Sequence, residues 1–171
     1  LNLVTDGPPA LALGLEPPQP EIMKRPPRKL KEGIFSEGVG ARIIWQGITI
    51  GLLALAAFWL ALRWDRSIQE AHTMAFATMA LSQLVHSFNV RNVKQSLFTL
   101  GFGSNRSLNY AFMVSLAMLS VVIFTPFLRG VFETALLRSS DWAVVLVLSI
   151  VPLVLVEISK AVGRLPAFNK Q

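Results

Sequence analysis

Ile43-Ile44-Trp45-Gln46-Gly47-Ile48-Thr49-Ile50-Gly51-Leu52-Leu53-Ala54-Leu55-Ala56-Ala57-Phe58-Trp59-Leu60-Ala61-Leu62 carries no formal charge, and arginine closes it on both sides, at 42 and 63. A helix that crosses a bilayer needs roughly 20 mostly apolar residues, whereas a helix on a soluble core would show a charged face. Working outward, residues 71–88, 108–128 and 142–156 are also free of Asp, Glu, Lys and Arg. Over the whole chain 53% of residues are hydrophobic and 15% charged, against about 25% charged in an ordinary soluble domain. The fold class that follows is all-α and integral to a membrane: the end of one transmembrane helix, then four full spanning helices.

The spans are expected at about 42–63, 71–89, 107–127 and from the Ser139-Ser140-Asp141 cap to near Gly163. Before them, residues 1–14 read as a helix end interrupted by Gly7-Pro8-Pro9. Residues 15–41 read as a loop rich in proline (Pro17, Pro18, Pro20, Pro26, Pro27) and in basic side chains, because proline fixes φ and removes a donor. Residues 42–171 then form a C-terminal four-helix bundle. Orientation comes from Lys and Arg. With the 15–41 loop in the cytoplasm, that side and the C-terminus hold 12 of the basic residues and the opposite side holds 4, Arg63, Arg66, Arg129 and Arg138. The net charge of +6 therefore reads as membrane topology and sets nucleic-acid binding aside. With no cysteine there is no disulfide framework and no thiolate metal site. The same absence and the short loops fit a bacterial inner-membrane protein.

Asn2, Thr5 and Asp6 stand at i, i+3 and i+4, one face of a helix. They offer an amide carbonyl, a hydroxyl and a carboxylate, the oxygen donors that hard cations take. A helix disturbed by Gly7-Pro8-Pro9 would also free backbone carbonyls, which discontinuous transporter helices use for ions. The same residue types also end helices without any ligand. Gln83, in mid-span, is either a ligand or an interhelical hydrogen-bonding group. His86 is a titratable group or a packing residue. Glu157 and Lys160, at i and i+3, read as a structural ion pair, while Trp45, Trp59, Trp64 and Trp142 read as interfacial anchors and His72 as interfacial. Gly101-Phe102-Gly103-Ser104-Asn105 lacks the Lys-Ser/Thr ending of a phosphate loop.

Asn2-Leu3-Val4-Thr5-Asp6-Gly7, with Pro9-Ala10 and Ala12-Leu13-Gly14, resembles the sixth transmembrane helix of sarcoplasmic-reticulum-type calcium pumps, a family of P-type cation-transporting ATPases. Glu16-Pro17-Pro18, Ile22-Met23 and Arg25-Pro26-Pro27-Arg28 resemble the cytoplasmic loop that follows it, and the later spans resemble helices seven to ten, with Trp142, Pro152, Glu157 and Lys160 placed as in the last helix. The resemblance implies that Asn2, Thr5 and Asp6 are ligands of a transported Ca²⁺. Sodium–potassium pumps are similar but usually have Asp where Asn2 stands, which favours calcium. Matching Asn89 and Gln95-Ser96-Leu97 to the family places Gln83 where helix eight contributes a ligand. There the reticulum-type pumps have Glu and the plasma-membrane type has Gln, which implies one calcium per cycle.

The resemblance also implies what lies elsewhere. No phosphorylated-aspartate motif is present in these residues, so Mg²⁺, ATP and the phosphorylation site are expected in a missing N-terminal part of the same protein. That part and the lipid bilayer are the implied partners. The competing readings are a P-type pump for Na⁺ or Mn²⁺, and a non-catalytic membrane scaffold.

Overall fold

The structure, a computed structural model, describes residues 2–17, 35, 38–92 and 95–163. The expected 15–41 loop lies largely outside them. Among the described residues there are seven helices and no strand: α1 (Asn2–Gly14), α2 (Val39–Arg63), α3 (Ile68–Asn89), α4 (Leu97–Leu100), α5 (Arg106–Phe124), α6 (Pro126–Phe132) and α7 (Ser139–Gly163).

Among the described residues, three helices are long and apolar enough to cross a membrane: α2, α5 and residues Ser139–Val162 of α7. The expected fourth, α3, has the length, at 22 residues, but not the apolarity. Its place in the fold explains the departure. It packs against α2, α7, α5 and α1, and is the hub of the bundle. A helix surrounded by protein needs no lipid-facing stripe, and α3 buries Thr73, Thr78, Ser82, Ser87 and Asn89 in its packed faces. The outer helices do the reverse. Ile48, Leu52, Leu55 and Trp59 of α2 are exposed, as are Tyr110, Met113 and Val121 of α5 and Val147, Ile150 and Ile158 of α7. An apolar surface of that extent belongs in lipid.

The expected third span, 107–127, is in fact two helices. Thr125 sits at φ −82° and ψ 120° between α5 and α6, with Pro126 opening α6. The residue before a proline is pushed out of the α region, and proline suits a first helical turn. The expected link after Asn89 also contains a helix, α4, capped by the Ser96 hydroxyl, which accepts from the Phe98 N–H.

Within lipid, helix association depends on close packing, because the tails are as apolar as leucine. The α2–α3 contact is built accordingly. Ile50, Ala54, Ala57 and Ala61 form the buried stripe of α2. Ala57 and Ala61 join Ala71, Met74, Ala77 and Ala80 of α3 in one cluster. Ala57→Leu is therefore expected to overpack this contact and destabilise the bundle by about 2 kcal/mol, read as a lower unfolding midpoint in detergent; an unchanged midpoint would contradict the packing described.

A candidate ion site and its supports

The helix that carries three of the candidate ligands contains two prolines, and both fall within its regular turns. Pro8 and Pro9 lack the N–H groups that would bond the carbonyls of Val4 and Thr5, four residues back. The sequence leads one to expect an interrupted helix there. Instead α1 runs through from Asn2 to Gly14. Another helix compensates one of the two lost bonds: the buried Ser115 of α5 donates its hydroxyl to the Thr5 carbonyl at 2.7 Å. The carbonyl freed by Pro9 thus has a protein partner.

Thr5 is buried and Asp6 half-buried. Asn2 lies on the first turn of the same helix. Gln83 lies on α3, half-buried, and α1 packs against both α5 and α3. The elements that carry Asn2, Thr5, Asp6 and Gln83 are thus neighbours. Among the described residues no group of three or more His, Cys, Asp and Glu side chains converges as a metal cluster. The candidate set is of another kind, with one carboxylate and three neutral oxygen donors. One turn beyond Gln83, the buried Nδ1 of His86 has no hydrogen-bond partner among the described residues.

The end of α1 nearest the 15–41 loop is anchored by a second group of polar contacts. Arg91, just after α3, donates from Nε to both Glu16 oxygens, at 3.1 and 3.0 Å, and from Nη2 to Glu16 Oε1 at 2.7 Å. Its remaining donors reach the Gly101 carbonyl at 3.0 Å and the Ser104 hydroxyl at 2.6 Å. Asn105 caps α5 by accepting from the Leu108 N–H at 2.9 Å. Its amide also donates to the Ala12 carbonyl at 3.2 Å and to Glu16 Oε2 at 2.6 Å. One asparagine therefore joins the start of α5 to the end of α1. The glycine-containing segment 101–105 serves as this joint: Gly101, at φ +79°, lies in the left-handed region that favours glycine and offers its carbonyl to Arg91.

Partial burial of Glu16 opposes its ionisation, but the hydrogen bonds from Arg91 and Asn105 and the charge of Arg91 outweigh that and hold its carboxyl below the usual 4.5. A carboxyl whose value is lowered by folding contributes stability that is complete above its unfolded value and lost as pH falls through the folded one. The stability advantage of the native protein over Glu16→Gln is thus expected to be full at about pH 7 and to shrink toward about pH 3, read from unfolding midpoints across that range; a constant difference would contradict the ionised pair.

Two more polar joints pin the bundle. Glu157 and Lys160 pair at 3.0 Å, as their spacing leads one to expect. The pair also does more: Glu157 accepts from the Ser96 hydroxyl and the Leu97 N–H, while Lys160 reaches the Asn89 carbonyl at 3.1 Å, so α7 is tied to the ends of α3 and α4. At the other end of the bundle, Arg66 donates to the fully buried Asp141 at 2.9 Å, linking the α2–α3 turn to the start of α7. Asp141 also accepts from the Arg138 N–H at 3.0 Å. The tryptophans take lesser roles: the Arg63 guanidinium lies 4.6 Å from the Trp59 ring centre, and Trp142 stacks on Phe124. His72 stacks on Phe58.

Ser115, Arg91, Asn105 and the Arg66–Asp141 pair escaped the sequence reading. One signal was there: Pro9 guarantees that the Thr5 carbonyl loses its helical partner, so some donor is needed. Nothing local names Ser115 as that donor, since the two residues lie 110 positions apart.

Helices with lipid-facing flanks and polar groups held in the centre define an integral membrane protein. The chain belongs to the cation-transporting ATPases: residues 1–162 match the family model described as "Cation transporting ATPase, C-terminus". It is 38% identical over 176 residues to calcium-transporting ATPase 1 of Bacillus cereus, covering 94% of this chain and 20% of that protein. It is 38% identical over 153 residues to a calcium-transporting ATPase of Bacillus subtilis, covering 89% and 17%. Human calcium-transporting ATPase type 2C member 1 is 32% identical over 164 residues, covering 96% and 18%. The chain thus spans about a fifth of the length of the curated relatives it matches.

Proposed function

We propose that this chain is the C-terminal membrane part of an ATP-driven pump that moves Ca²⁺ across a membrane. Asn2, Thr5 and Asp6 on α1 and Gln83 on α3 would contribute to one ion site. The observation that carries the reading is the likeness to named calcium-transporting ATPases over nearly the whole chain, joined to an oxygen-rich helix held by its neighbours. In this account α1 is the end of the sixth transmembrane helix, and α2, α3, α5 and α7 are helices seven to ten. The 15–41 loop and the C-terminus face the cytoplasm, and the membrane is a bacterial inner membrane. Mg²⁺, ATP and the aspartate that takes the phosphoryl group belong to the rest of the protein, the chain's covalent partner. The exposed Leu11 of α1, and Leu15 just after it, offer that part an apolar surface.

Mechanistically, Asp6 supplies the only charge in the candidate set, and charge count tunes Ca²⁺ affinity. A neutral Gln83 supports a single strong site. Phosphorylation elsewhere would move α1 between two positions, and the ion would leave when the oxygens no longer converge. ATP hydrolysis by the full-length protein, measured against free Ca²⁺, Na⁺ and Mn²⁺ in turn, tests the ion. Stimulation by micromolar Ca²⁺ alone is expected. Stimulation by Na⁺ or Mn²⁺ instead would keep the pump and change its cargo, and no cation-stimulated hydrolysis would leave a membrane scaffold.

A further inference from the structure

Two of the polar anchors of α1 come from α5 and its N-cap. Ser115 of α5 donates to the Thr5 carbonyl, which adjoins Asp6 in sequence. Asn105, the N-cap of α5, donates to the Ala12 carbonyl and to Glu16, to which Arg91 donates three hydrogen bonds. Pro8 and Pro9 remove two rungs of the α1 ladder between these points, so the helix alone fixes its ligand-bearing turn less firmly than an unbroken ladder would. Ser115 is fully buried, and its hydroxyl donates to the Thr5 carbonyl, the group whose helical donor Pro9 lacks.

We propose that Ser115 is a positioning residue for ion binding: through the Thr5 carbonyl it sets the rotation and height at which α1 presents Thr5 and Asp6, with the Arg91–Glu16–Asn105 joint as the second anchor of the same helix. The inference rests on α1 being the ion-binding helix of a cation pump. Ser115 touches no ion itself. It acts on geometry, and a site of oxygen ligands tolerates displacement of only about 0.5 Å before its donors fail to converge. Loss of the hydroxyl would remove a 2.7 Å hydrogen bond between α5 and the ligand-bearing turn of α1, and with it one constraint on how that turn is presented.

The test is ATP hydrolysis by the full-length protein as a function of free Ca²⁺. Ser115→Ala is expected to raise the Ca²⁺ concentration for half-maximal stimulation by about three- to tenfold, the scale of one net hydrogen bond. Ser115→Thr, which keeps the hydroxyl, is expected to restore it. Arg91→Met is expected to shift the same value in the same direction, and Ser115→Ala alone decides the matter if that variant does not fold. Ser120→Ala on the same helix serves as control, because the Ser120 hydroxyl bonds only within its own helix, to the Leu116 carbonyl, and it is expected to leave the Ca²⁺ dependence unchanged. Ser115→Ala with an unshifted half-maximal Ca²⁺, whatever its thermal stability, would overturn the inference while leaving the pump intact. Native protein with no cation-stimulated hydrolysis would overturn the pump reading and this inference with it.

Discussion

Asp6→Asn in the full-length protein is expected to raise the Ca²⁺ needed for half-maximal ATP hydrolysis by about 100-fold or more, or to abolish the stimulation. The substitution keeps the shape of the side chain and one carbonyl oxygen, and removes the only formal charge among Asn2, Thr5, Asp6 and Gln83. In a half-buried setting, a divalent ion that loses a carboxylate ligand loses part of its electrostatic counterweight. Comparison with Ser115→Ala separates two ways of weakening the site. The serine variant moves the ligands and costs about three- to tenfold, whereas the aspartate variant leaves them in place and removes the charge of one. A protein carrying Asp6→Asn with native Ca²⁺ dependence would remove Asp6 from the site.

Asp141→Asn is expected to destabilise the bundle by about 3 kcal/mol, the largest stability effect foreseen here. Asp141 has no exposed surface, and Arg66 opposite it is 11% exposed. Taking away the carboxylate leaves Arg66 largely desolvated and unpaired, which costs more than the pair itself contributes. The Arg138 N–H, now bonded to Asp141 Oδ2 at 3.0 Å, would face an amide in its place. The effect should appear as a lower unfolding midpoint in detergent, with the Ca²⁺ dependence of the surviving folded fraction unchanged, because the joint lies at the opposite end of the bundle from the Glu16 anchor. A midpoint equal to that of the native protein would show that the ion pair carries no net stability.

The four charge-free blocks were enough to foresee α2, α5 and α7, because a bilayer imposes a length and a composition that can be counted along the chain. They also located α3, but hydropathy describes a helix facing lipid, and α3 faces protein on most sides. Its polar residues make sense only once its neighbours are known. The break at Thr125-Pro126 was legible in principle from the residue before proline, yet the apolar run continues through Phe127 and Leu128 and hides it. The Glu157–Lys160 pair was read correctly because helical spacing alone brings the two together. Arg66–Asp141, Arg91–Glu16 and Ser115–Thr5 bridge 75, 75 and 110 positions. No local pattern encodes such pairs. For the same reason the candidate ligands were visible as residue types on one helix face, whereas the groups that hold that helix in place were not.

The most direct measurement is ATP-driven uptake of Ca²⁺ into sealed vesicles carrying the full-length protein, beside vesicles carrying Asp6→Asn. Uptake by the native protein that depends on ATP and saturates at micromolar free Ca²⁺ is expected, and none by the variant at that concentration. Equal uptake by both proteins would contradict the assignment of the ion site to α1, and no uptake by either, with ATP hydrolysed in response to a different cation, would contradict calcium as the cargo.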